Sequence, residues 1–138
     1  MPEKYEIIFQ EICRGDASAY QYCCETLRWL HVMDDVLDNQ APKPAELLVQ
    51  SFVRYLEMIS TNDFWKGNAG RLMPVIRASA VAFLDSERWK VREDVRDKLA
   101  AEVLKSEYQN IFFEVAACVG GFPHQREMSE RYRAYYFG

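Results

Sequence analysis

The sequence predicts an all-α fold, a single-domain bundle of five to six antiparallel helices. Three observations carry this. Apolar residues recur at spacings of three and four, and runs of strict alternation are nearly absent. Breakers fall between long periodic stretches, at Gly15-Asp16, Asn39 to Pro44 and Gly120-Gly121. The chain has 138 residues, a length that suits one domain with a real core.

The helices follow in order. The first covers residues 3–13 and is stopped by Gly15-Asp16, with Asp16 placed to cap the next. The second runs from about Ala17 to Asp38 and ends at Asn39 and Ala41-Pro42-Lys43-Pro44. The third covers about Pro44–Ser60, with Leu47, Leu48, Phe52, Tyr55, Leu56 and Ile59 expected on its buried side. A loop is expected from Thr61 to Asn68, with Asn62-Asp63 read as a helix N-cap and turn. The fourth helix covers about Ala69–Trp89 and tolerates Pro74 in its first turns. The fifth is long, about Arg92–Val119, and stops at Gly120-Gly121. Pro123 suits the start of a sixth, about 123–136. The aromatic tail, Tyr132 to Phe137, is expected to dock on the bundle or on a partner.

Composition excludes several classes. Apolar residues make up 49%, aromatic residues 14%, and the net charge is −4, which excludes a disordered chain. A pI near 5.2 offers no basic field, so no nucleic-acid partner is expected. The basic stretch Arg88 to Lys98 is interleaved with acids and reads as a solvated helix face. No apolar run is long enough for a membrane span, and the acidic, amphipathic first residues do not resemble a secretory signal. A cytoplasmic setting is the expectation. Cys13, Cys23, Cys24 and Cys118 form no CxxC pair and read as buried reduced thiols. GxGxxG, Walker A, HExxH and GxSxG signatures are absent, and neither His31 nor His124 completes a nucleophilic triad.

One site carries chemistry. On a wheel of about 100° per residue with Asp34 at 0°, Asp38 falls near 40°, His31 near 60° and Asp35 near 100°. Three carboxylates on one arc repel each other, and a divalent cation removes that repulsion. Oxygen ligands suit Mg²⁺, with Mn²⁺ as substitute. Leu27, Leu30, Leu37, Trp29, Val32, Met33 and Val36 cover most of the remaining circumference, so the helix is expected to be central and its acidic arc to face other helices. On the fifth helix Ser106, Asn110 and Glu114 stand at i, i+4 and i+8, with Glu107 beside them. Metal ligands are therefore expected at Asp34, Asp35, Asp38, Glu107, Asn110 and Glu114. His31, Arg71 and Arg77 are the candidates for contacting a phosphorylated or diphosphate ligand.

Asp34-Asp35-Val36-Leu37-Asp38 resembles the aspartate-rich first motif of class I isoprenoid (terpenoid) synthases. That resemblance implies Mg²⁺ held by Asp34 and Asp38, with Asp35 as second carboxylate, gripping a diphosphate. Ser106, Asn110 and Glu114 have the spacing of that family's second motif, with Ser and Asn exchanged. Those synthases are longer chains, and a full cavity here would need a homodimer. A wider resemblance joins the Asp34–Asp38 segment, the Asn62–Leu84 segment and the Val119–Phe122 helix stop. Together they are similar to small uncharacterised helical proteins encoded by phages and prophages. This implies a bacterial or phage-infected setting and no established activity. The reading is thus a divalent-metal-binding helical protein. The alternative is a non-enzymatic accessory or interaction protein, in which the acidic cluster is structural and the aromatic tail and Trp65 are contact surfaces.

Overall fold

A computed structural model describes residues 2–137. The fold is all-α, and no strand occurs among the described residues. The chain divides into two compact units, Met1–Gly67 and Asn68–Gly138.

The first unit holds α1 (Glu3–Cys13), α2 (Ala17–Leu37), α3 (Pro44–Thr61) and the first turn of α4 (Asp63–Trp89). Helix α1 carries Glu3 and Glu6 in its first turn, where the macrodipole favours negative charge. It buries Ile8, Phe9, Ile12 and Cys13. Arg14 in the left-handed region (φ 46°) and Gly15 (φ 85°) turn the chain. Asp16 then caps α2 as expected, accepting from the Ala19 amide at 3.0 Å. Ala19, Tyr22, Cys23, Thr26 and Leu27 form the buried face of α2 at i, i+3, i+4, i+7 and i+8. At the far end Asn39 takes φ 57°. The Gln40 amide donates to the Asp35 carbonyl at 2.8 Å and the Asn39 amide to Val36 at 3.3 Å, a Schellman closure.

A six-residue connection returns the chain as α3, which packs on α2. The Thr26 and Tyr55 hydroxyls are 2.7 Å apart, and Trp29 stacks on Tyr55 with ring centroids at 6.1 Å. Arg54 grips Glu25 with two hydrogen bonds, Nε to Oε2 at 2.9 Å and Nη2 to Oε1 at 2.8 Å. With the Arg54 side chain half exposed, this bidentate pair is worth about 1 kcal/mol.

The expected loop from Thr61 to Asn68 is absent. Asn62 alone separates α3 from α4. Its Oδ1 accepts from the Trp65 amide at 2.8 Å. Its Nδ2 donates to the Ser18 carbonyl at 2.8 Å and to Gln21 Oε1 at 3.0 Å. The N-cap reading of Asn62 holds, and α4 begins six residues earlier than expected. Pro74 therefore lies well inside the helix.

The second unit contains the rest of α4, then α5 (Val95–Lys105), a 3-10 turn (Ser106–Tyr108) and α6 (Gln109–Phe137). Asp94 caps α5 through the Arg96 amide at 2.8 Å. The long fifth helix of the expectation is thus split by the 3-10 turn. The stop at Gly120-Gly121 is real. Gly121 takes φ 80° and ψ −176°, a conformation that is essentially glycine-only, and α6 kinks there. A Cβ on Gly120 would lie 2.7 Å from the buried His124 side chain. Beyond the kink Tyr132 is buried against Phe112 and Phe113, at centroid distances of 5.9 and 5.7 Å. Tyr136 meets Tyr108 at 6.3 Å, so the aromatic tail docks within its own unit, while Phe137 stays exposed.

Candidate functional site

The acidic arc occupies the last turns of α2. The buried face of that helix is continuous only to Leu27, and Val32 is the one buried residue after it. Asp34 is half-buried, while His31, Asp35 and Asp38 are exposed, as is Leu37. The expectation that the arc faces other helices is corrected here. Towards the helix end Val32 stays buried and Met33 and Val36 half-buried, while Leu37 is exposed.

The other expected ligands lie in the second unit. The 3-10 turn advances about 120° per residue against about 100° in an α-helix. Ser106 is thereby rotated about 60° out of the stripe it was expected to share with Asn110 and Glu114. Its hydroxyl donates to the Val103 carbonyl at 2.7 Å. Asn110 Nδ2 donates to Glu107 Oε2 at 2.7 Å, and Glu114 accepts from Arg71 Nε at 3.1 Å. Glu107, Asn110 and Glu114 do share a face, but Arg71 is engaged by Glu114. Arg77 is exposed on α4. Among the described residues, no three His, Cys, Asp or Glu side chains converge as a metal-ligand group.

A different feature is prominent in the first unit. Only Met58 of α3 is fully buried, with Leu47, Ser51, Tyr55 and Ile59 half-buried. Leu48, Phe52 and Leu56, expected in the core, are exposed, as are Val49 and Val53. Phe52 is 52% exposed and Val49 61%. With Val49 at 0° on the wheel, the exposed apolar residues run from about 260° (Leu48) through about 300° (Phe52) and 340° (Leu56) to about 40° (Val53). Glu46 and Glu57, near 60° and 80°, bound that arc on one side. From Leu48 to Leu56 the stripe extends about 12 Å, two helical turns. Trp29 borders it, its ring 6.3 Å from Phe52. The periodicity showed that α3 has an apolar face but not that this face is wider than its contact with α2.

The electrostatics of the α2–α3 hairpin are one-sided. Between residues 17 and 61 six acids stand against three bases, Arg28, Lys43 and Arg54. Arg54 is taken up by Glu25, whose hydrogen bond holds the guanidinium pKa above its ordinary value. Asp35, Asp38, Glu46 and Glu57 are exposed, and Glu46 and Glu57 lie beside the exposed apolar stripe. Burial pushes the Tyr55 hydroxyl above its ordinary pKa.

The second unit also exposes apolar residues. An open groove of about 660 Å³ between α4 and α5 is lined by Asp85, Trp89, Ala100, Val103 and Leu104. Residues 92–105 carry four acids and four bases, so this surface has no net sign.

No helix among the described residues is long and apolar enough to cross a membrane. Comparison with family models, with curated proteins and with solved structures finds no match for this chain.

Proposed function

We propose that this protein is a non-enzymatic interaction module, and that the outer face of α3 receives an amphipathic helix of another protein with Lys or Arg along its flanks. The carrying observation is the exposed stripe Leu48, Val49, Phe52, Val53 and Leu56 on one helix. Apolar side chains in contiguous patches of this kind mark contact surfaces. A two-turn stripe matches the i, i+3/i+4, i+7 anchors of a bound helix. The acids beside it choose the sign of the partner, and they would speed its approach and make binding salt-dependent. The acidic arc on α2 then contributes field rather than metal ligation. The groove between α4 and α5 offers no comparable charge selection.

The test uses two labelled probe peptides of equal length, a Leu/Lys and a Leu/Glu amphipathic helix, followed by fluorescence anisotropy. The Leu/Lys peptide is expected to bind, more weakly as salt rises, and Phe52→Asp to weaken it by tenfold or more, about 1.4 kcal/mol. That loss would occur although the variant is more acidic, which separates docking on the stripe from bulk charge attraction. Equal binding of the Leu/Glu peptide, or an unchanged affinity in Phe52→Asp, would overturn the reading. So would a homodimer in sedimentation that Phe52→Asp dissolves, since a second copy would then occupy the face.

A further inference from the structure

We infer that Cys13 and Cys23 are a redox-dependent cross-linking site that latches α1 onto α2. Cys13 is the last residue of α1 and Cys23 lies on the buried face of α2. Their Sγ atoms are 3.9 Å apart, and both side chains are buried. A disulfide needs about 2.05 Å, so the two sulfurs must close by roughly 2 Å. The chain between them is held by the left-handed Arg14, by Gly15 and by the Asp16 cap, which keeps the two sulfurs facing each other.

Competing pairings are poor. Cys23 and Cys24 are adjacent on one helix and point about 100° apart. Cys24 is half-buried and shares its helix with Cys23. Burial raises the Cys23 thiol well above its ordinary pKa, which makes it a slow first nucleophile and leaves the opening step to Cys13. Cys13 sits where α1 ends, and a helix of eleven residues is marginal on its own. Transient lifting of its last turn exposes the sulfur.

The oxidant is a peroxide. The Cys13 thiolate attacks one peroxide oxygen, the O–O bond breaks, and hydroxide leaves to be protonated to water. The resulting sulfenic acid is attacked at sulfur by Cys23. The S–O bond breaks, the S–S bond forms, and a second water carries off the thiol proton. Two thiols and one hydrogen peroxide give one disulfide and two waters. The product removes the local opening of α1 that admitted the oxidant.

The experiment treats the intact protein with hydrogen peroxide, quenches with catalase, alkylates in denaturant and maps tryptic peptides. The expected result is a loss of about 2 Da and a joined pair of peptides, residues 5–14 and 15–28, released by dithiothreitol. The thermal midpoint of the oxidised protein should rise and return on reduction. Cys13→Ser should abolish the joined pair. The double variant Cys24→Ser/Cys118→Ser should retain it, and this variant leaves the buried pair untouched. The inference fails if that double variant keeps both thiols under peroxide that oxidises the urea-unfolded chain. It also fails if the wild type yields only sulfinic acid, or only chain-to-chain links through Cys24 or Cys118.

Discussion

Removing the Asn62 side chain tests how the first unit is joined to the start of α4. Asn62 is 1% exposed, so its hydrogen bonds carry no solvent discount. Its Oδ1 caps α4 through the Trp65 amide, a contribution of about 1 kcal/mol. Its Nδ2 makes two donations, to Ser18 and Gln21, each worth about 1 kcal/mol. Asn62→Ala is therefore expected to cost about 2–3 kcal/mol, which for 138 residues lowers the midpoint by about 8–12 °C. Asn62→Asp keeps the cap but loses both donations and sets a carboxylate oxygen against the Ser18 carbonyl. It should cost about 2 kcal/mol or more. Urea and thermal unfolding followed by tryptophan fluorescence report the loss, since Trp65 stacks on Tyr22 with centroids 5.8 Å apart. Faster amide exchange at Trp65 should accompany it in Asn62→Ala and not in Asn62→Asp. Asn62→Ala within about 0.5 kcal/mol of wild type would refute the reasoning. Asn62→Asp at wild-type stability would show that the cap alone matters.

Further expectations concern the kink, the buried acids and the acidic arc. Gly120→Ala forces a Cβ to 2.7 Å from His124 and Gly121→Ala must adopt φ 80°; each should cost about 1–3 kcal/mol in circular-dichroism melts. Gly67→Ala, with open space around a helical position, should instead stabilise by up to about 1 kcal/mol. Burial raises the pKa of Cys23, Tyr22 and Tyr55, so the unfolded chain loses these protons first as pH rises. Stability from these groups is full below the ordinary values of 9.0 and 10.0 and falls as pH climbs above them, which urea titrations from pH 7 to 11 would register. Millimolar Mg²⁺ or Mn²⁺ should move the thermal midpoint by less than about 1 °C if the arc supplies field alone, and a larger rise that Asp35→Asn abolishes would assign a metal site to the arc.

Much of the fold was legible because its punctuation is local. Asp16, Asn62 and Gly121 each perform a backbone task that few residue types can, and the sequence displays them directly. The expected loop from Thr61 to Asn68 ends in Gly67 and Asn68, residue types common in turns, and α4 runs through both. The long-range hydrogen bonds of Asn62 start α4 before them, and no local signal announces those partners. The 3-10 turn at Ser106–Tyr108 contains neither Gly nor Pro, so the phase shift it imposes on the expected ligand stripe was invisible. Periodicity assigned Asp34, Asp35 and Asp38 to one face, and it assigned Phe52 and Leu56 to another. Which faces are covered depends on how far the neighbouring helices extend, and α3 presents more apolar arc than α2 can take.

The most direct test of the account is a backbone amide NMR titration of the protein with the Leu/Lys probe helix. The account predicts that perturbed resonances cluster on residues 44–57 and at Trp29, and that they return to their free positions at high salt. Perturbations confined to Asp85, Trp89 and residues 100–104 would contradict it by placing the docking surface in the groove of the second unit.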